Sequence, residues 1–261
     1  MSDWGVTESA VYEAGTGFSP VSGATANTKG AWMQILASAP QDYTGLWIQL
    51  RGATTNNALF DIGIGAAGSE IVLAPNLFCG PKLTQDSYGS VFILPCSIPA
   101  GSRVAVRSQT DGVSISASIN IGFFTGYLTA QYPGNLFDIG TMLATSTGTA
   151  LTIPASGSSA WVQLVASTAY DIKKFLLFIG GAGPDTQAMI DLAVGAAGAE
   201  QIILGGIGYL ERQITGSVGQ SGPSSCGPFP IQIPAGSRIS VRATFIGGSG
   251  ATTYISMLGM N

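Results

Sequence analysis

The sequence predicts an all-β protein made of two tandem jelly-roll-like β-sandwich domains, residues 1–130 and 131–261, that arise from an internal duplication. Three observations predict it. Long phrases recur in order along the chain, short apolar or alternating runs are bounded by Gly, Pro, Ser, Asn and Thr, and no segment sustains a helical apolar period.

The repeat is read first, because a fixed spacing between like phrases determines the architecture. Ala31 to Ser38 (AWMQILAS) returns as Ala160 to Ser167 (AWVQLVAS) at an offset of 129. Asp61 to Glu70 (DIGIGAAGSE) returns as Asp191 to Glu200 (DLAVGAAGAE) at 130, and Ile98 to Arg107 (IPAGSRVAVR) as Ile233 to Arg242 (IPAGSRISVR) at 135. The five-residue growth falls between Glu200 and Ile233, where Gly205, Gly206, Gly208, Gly216, Gly219, Gly222 and Pro223 read as loop. The boundary is expected between Thr129 and Gly134, with Gln131-Tyr132-Pro133-Gly134 as a turn or short linker.

The strands follow in order. In the first half they are expected at Trp32 to Ala37, Leu46 to Arg51, Leu59 to Ile64, Glu70 to Leu73, Val91 to Leu94, Arg103 to Ser108 and Ser114 to Phe123. In the second half they are expected at Trp161 to Ala166, Phe175 to Ile179, Met189 to Val194, Gln201 to Leu204, Ile231 to Ile233, Arg238 to Thr244 and Thr253 to Leu258. Strands this short and this closely spaced suit a jelly-roll sandwich, with a single merged barrel as the alternative.

Composition narrows the function classes. Charged residues are only 9% of the chain and glycine supplies 37 residues, so a bare surface would be poorly solvated. No apolar run approaches the length of a spanning helix, so no membrane partner is expected. The apolar excess is instead read as surface to be buried between subunits. The opening segment, MSDWGVTESAVYEAG, has neither a basic n-region nor an apolar core, which makes assembly in a cytoplasm the expectation. A net charge of −4 and no basic cluster beyond Lys173-Lys174 argue against nucleic acid. Cys79, Cys96 and Cys226 form no C-x-x-C and read as buried thiols.

Gly63-Ile64-Gly65-Ala66-Ala67-Gly68 matches the dinucleotide pattern G-x-G-x-x-G, but an apolar strand follows instead of a helix, and Ala193 replaces the first glycine in the second phrase. The reading preferred is a hairpin turn held by Gly65 and Gly68, and by Gly195 and Gly198 in the second half. Pro99 and Gly101, like Pro234 and Gly236, suit a type I turn with proline second and glycine fourth. After each such turn the period-2 alternation puts Arg103 and Arg107, and likewise Arg238 and Arg242, on one face of a strand. Asp42, Asp61 and Glu70 recur as Asp171, Asp191 and Glu200. Charges this scarce and this regularly placed are expected to pair, forming a salt-bridged outer face in each domain.

Asp61 with Glu70, and Asp191 with Glu200, are also the candidates for a glycosidase pair, though each pair brackets a tight turn. The chain has no histidine, which removes Ser-His-Asp and Cys-His sites and imidazole ligation of a metal. No calcium-loop motif is present, and neither a metal nor another cofactor is expected. Trp4, Tyr43, Tyr88, Tyr132, Tyr170 and Tyr209 lie at loop-like positions and are read as rim or interface residues, with sugar stacking as the alternative.

The duplicated phrases Asp61 to Glu70 and Ile98 to Arg107, with the glycine-rich short strands, resemble structural proteins of tailed-bacteriophage virions. That resemblance implies a non-enzymatic virion component: a homo-oligomeric head decoration or cement protein, trimer before dimer, that contacts a major capsid protein. Its alternative is a carbohydrate- or receptor-binding jelly-roll module of a fibre or spike.

Overall fold

Alternation along single strands decides which side chains make the interior. The computed structural model describes residues 11–13, 17–53, 55–81, 90–125, 134–182, 186–211 and 224–261, and among these every regular element is a strand. The first half contains β1 (Val11–Glu13), β2 (Met33–Leu36), β3 (Tyr43–Gly52), β4 (Ala58–Ile64), β5 (Ile71–Cys79), β6 (Ser90–Ile98), β7 (Val104–Thr110) and β8 (Ser118–Phe124). The second contains β9 (Leu136–Ile139), β10 (Thr141–Met142), β11 (Thr147–Ile153), β12 (Val162–Val165), β13 (Lys174–Ala182), β14 (Thr186–Val194), β15 (Gln201–Glu211), β16 (Ser224–Phe229), β17 (Ile239–Gly248) and β18 (Ala251–Met260).

The first half pairs its strands into sheets ordered β1-β8-β3-β6 and β2-β7-β4-β5, the eight-stranded, two-sheet arrangement of a jelly roll. The second half repeats it as β10-β11-β18-β13-β16, with β9 also on β18, and β12-β17-β14-β15. Registers match too, since Asp61 lies opposite Arg107 as Asp191 lies opposite Arg242. Leu46, Ile48 and Leu50 of β3 are buried against Phe60 and Ile62 of β4 and against Val104 and Val106 of β7. Their counterparts Phe175, Leu177 and Ile179 pack with Ile190, Leu192, Ile239 and Val241.

β13 is buried on both faces. Leu176 and Phe178, which point away from the second core, join the first core together with Leu258 and Met260 of β18. The Phe178 and Phe92 rings meet edge to face at 5.3 Å. A Cβ added to Gly180 would come 3.0 Å from the Phe78 ring and 3.1 Å from Gly80, so glycine is what lets β13 approach β5 this closely. Part of the apolar excess is therefore buried within one chain, whereas the sequence reading assigned it to contacts between subunits.

Several element boundaries differ from expectation. β5 runs on through Pro75 to Cys79 because Pro75 and Asn76 both stand opposite Asp61 in a β-bulge, a place in a sheet where a residue without an amide hydrogen is tolerated. β15 likewise runs through Gly205, Gly206 and Gly208, read as loop in the sequence, with a bulge at the same place. The strand expected at Ile231 to Ile233 is only an isolated bridge between Ile233 and Ile172, and β16 lies upstream in Ser-Ser-Cys-Gly-Pro-Phe. β9, β10 and β11 were not expected. The proposed linker residues up to Pro133, the loop residues Gly216, Gly219, Gly222 and Pro223, and Trp4, Tyr88 and Tyr132 lie outside the described residues.

Candidate functional site

The sheet β2-β7-β4-β5 turns its charged residues outward. Asp61 is nearly fully buried by its partners: Oδ1 accepts from Lys29 Nζ at 2.8 Å and from the Asn76 backbone N–H at 2.9 Å, and Oδ2 accepts from Arg107 Nε at 2.8 Å. The Arg107 guanidinium lies 4.5 Å from the centre of the Trp32 ring, within cation–π range. That ring rests on Gly63, where a Cβ would come within 2.8 Å of it. Four residues earlier, just before β7, Arg103 donates to Glu70 at 2.6 Å and to Gln34 at 3.0 Å.

The second half repeats this face. Arg242 Nε donates to Asp191 Oδ2 at 3.0 Å and its guanidinium lies 4.7 Å from the Trp161 ring centre. Arg238 donates to Glu200 at 3.0 Å and to Gln163 at 3.0 Å. The Gly206 N–H reaches Asp191 Oδ1 at 2.9 Å, as the Asn76 N–H reaches Asp61, and Asn76 and Gly206 both have positive φ, at 48° and 71°. Lys29 is where the halves part: the position equivalent by offset is Ser158, which bonds Thr244. Asn76 also donates to Asp138 of β9, which carries the first network across to the second half.

These contacts set the electrostatics. Burial lowers the Lys29 pKa although Asp61 beside it pulls the other way. Burial alone would raise the Glu70 and Glu200 carboxyls, but hydrogen bonds from Arg103 and Arg238 and from nearby backbone amides outweigh it and hold both below the ordinary value. A carboxylate held this way is a locked anion, poorly suited to donate a proton. Asp61 and Glu70, the candidate glycosidase pair, bind different arginines, as do Asp191 and Glu200. Cys79 and Cys96 are buried and Cys226 partly so, all three as free thiols. Burial pushes the Cys96 thiol up to about 12 and the Cys226 thiol up to about 11.

The turn glycines lie where side chains are strained. Gly65 and Gly68 have φ of 121° and 82°, and Gly195 and Gly198 have 119° and 83°. The proline turns are one residue out of the expected register. Ser102 N–H bonds Pro99 C=O, so Pro99 is first and Gly101, with φ of 81°, is third, which is a type II turn and not type I. Ser237, Pro234 and Gly236 repeat it, and Asp42 and Asp171 each accept the N–H of the intervening alanine.

A shallow depression of about 440 Å³ lies in the second half, edged by Tyr170, Asp171, Lys173, Ala235, Asn261 and Gly134. Tyr170 is half-exposed and its ring lies 5.3 Å from Phe137. Tyr43 and Tyr209, read from the sequence as rim residues, are instead buried in the cores. Among the described residues no group of three or more Cys, Asp or Glu could hold a metal ion.

The fold is therefore all-β, of the jelly-roll-like β-sandwich class. No family model matches the sequence, and no curated protein matches it. Among solved structures, the chain is similar to PNGase F, a glycosylasparaginase from Flavobacterium meningosepticum, with 9% identity, coverage of 97% of this chain and 96% of that one, and a TM-score of 0.41. It is similar to PNGF-II at 9% identity and a TM-score of 0.38, covering 96% of this chain and spanning 65% of PNGF-II. It is also similar to the major capsid protein P2 of bacteriophage PM2, at 8% identity and a TM-score of 0.34, covering 97% and 98%. Likenesses this distant bear on neither activity nor ligand.

Proposed function

We propose that this chain is a non-enzymatic structural protein of a virus particle, a homo-oligomeric decoration or cement protein of a tailed phage that contacts the major capsid protein. It works in the virion after assembly in the host cytoplasm. The observation that carries this reading is the division of its surface: the charges on the β2-β7-β4-β5 and β12-β17-β14-β15 sheets pair with one another, while Trp47, Val91, Ile93, Met189, Ile202 and Ile246 stand exposed on sheet faces. Large apolar side chains exposed together on β-faces are contact surfaces. We take the matched registers of the two halves as the trace of an internal duplication. The test compares survival of heat or osmotic shock by particles with and without the protein, after proteomics of purified particles. Lower survival without it is expected; equal survival overturns the cement role.

A second reading, a glycan-binding module of a fibre or spike, is favoured by the Tyr170 edge of the depression, since an exposed aromatic ring beside polar groups is a platform for a sugar. Specific glycan binding that Tyr170→Ala abolishes, together with equal particle survival, would establish it in place of the first.

A further inference from the structure

The two halves meet through unlike faces, and among the described residues the counterpart of each face is left bare. On the first half the contact uses β5 and its neighbours: Leu59 of β4 and Gln109 of β7 stand beside Phe78 on one face of the sheet. Gln109 donates to the Leu143 carbonyl and Asn76 donates to Asp138, both in the second half. On the second half the contact uses the outer face of β13 and β18, with Leu176, Phe178, Gly180 and Leu258.

Register identifies the equivalents. Met189 lies between Gly208 and Thr244 as Leu59 lies between Phe78 and Gln109. Leu59 is 0% exposed, whereas Met189 is 39% exposed and Gly208 is open. Trp47 occupies the β3 position that Leu176 occupies in β13, directly opposite Gly122 as Leu176 is opposite Leu258. Leu176 is 0% exposed, whereas Trp47 is 38% exposed, with Ile93 beside it on β6 and Val91 two residues along. Each half thus buries one face against the other and leaves the other face uncovered among the described residues.

The bare faces also fit in size. Within the chain, the large Phe78 ring of β5 lies over the small Gly180 of β13. In the bare pair the order is reversed: Arg51 stands on β3 at the Gly180 position and Gly208 on β15 at the Phe78 position, the β3 face also carries Trp47 at the Leu176 position, and an added Cβ at Gly206 or Gly208 would meet nothing within 4 Å. We propose that the outer β3-β6 face of one copy docks on the β14-β15 face of a second copy, head to tail, as a counterpart of the contact already made between the halves. A heterologous contact of this kind gives a closed ring where its rotation closes. The proposal rests on the assembly reading above and gives it a contact.

The test uses the full chain. Sedimentation is expected to show a multimer, and Trp47→Glu or Met189→Glu, each on a solvent-facing position, is expected to weaken association by at least ~30-fold while the circular-dichroism spectrum of the chain is unchanged. Arg51→Cys and Gly208→Cys, equivalent to Gly180 and Phe78, report the geometry: under oxidation a mixture of the two single variants is expected to cross-link, and neither variant alone beyond the background of the native thiols. A monomer at all concentrations, an undisturbed multimer in both glutamate variants, or cross-linking of either cysteine variant with itself would overturn the head-to-tail contact. Particle survival separates the two readings. A cross-linked multimer that leaves survival unchanged overturns only the cement role, and a monomer that still protects particles overturns only the contact.

Discussion

Asp61 and Asp191 perform the same task with different numbers of partners, so they offer a comparison at the residue scale. Asp61 holds Lys29, Arg107 and the Asn76 amide with its side chain 4% exposed, and Asp191 holds only Arg242 and the Gly206 amide at 14%. Removing one member of a buried ion pair strands the others, at a cost of about 3–5 kcal/mol. Asp61→Ala is expected to approach that range in denaturant melts, and Asp191→Ala to cost roughly 1–3 kcal/mol, nearer to a hydrogen-bonded charge at a partly open site. Acidification reports on the glutamates. Because the folded pKa values of Glu70 and Glu200 are depressed, their contribution is complete above the ordinary value of 4.5 and is lost as pH falls through the folded value. The melting temperature is expected to drop on the acid side of 4.5, and Glu70→Gln with Glu200→Gln to reduce that drop. At Gly65 and Gly68, valine at both positions is expected to cost roughly 2–4 kcal/mol, since each side chain would sit at positive φ.

At the scale of elements, the bulge opposite Asp61 shows how much of the molecule was legible in the sequence. Asp61 and Arg107, like Asp191 and Arg242, were readable because scarce charges at a repeated spacing on a period-2 strand have one side on which to meet. The bulge that places the Asn76 amide on Asp61 was not, because Pro75, Gly205 and Gly206 are residues that usually end strands, and only cross-strand register shows that they bend one instead. The type II turn at Pro99 escaped for a similar reason: proline and glycine fit either turn type, and the Ser102 hydrogen bond decides between them. β9 to β11 carry no repeated phrase and were missed. Asn76→Gly keeps φ of 48° without strain but loses the side-chain bonds to Lys29 and Asp138, so it is expected to lower the melting temperature, and Asn76→Val, which loses the same bonds and also strains the bulge, is expected to lower it further.

Over the whole molecule, the two sandwiches share a wall, and the tyrosine-edged depression lies in the second. Nothing in the repeat announced this asymmetry, because Leu176 and Phe178 read as an ordinary apolar strand whichever core they enter. Phe178→Ala is expected to cost about 3–5 kcal/mol and to act on the first core. Calorimetry is expected to resolve one transition in the parent chain and two in Gly180→Val, in which the added side chain forces β13 away from Phe78.

The shared wall also imposes an order on synthesis. Leu136 packs against the first core only partly buried, and the fully buried second-half residues that close it, Leu176, Phe178, Leu258 and Met260, come far later in the chain than Phe123. A ribosome adding about 5–20 residues per second leaves Phe78 and Phe92 without their covering for several seconds or longer. During that interval the nascent first half presents an open apolar flank, which is the kind of surface that chaperones hold and that aggregates capture. A fragment ending at residue 130 is therefore expected to bind a hydrophobic dye and to precipitate when expressed alone, and to remain soluble when residues 131–261 are supplied in the same cell.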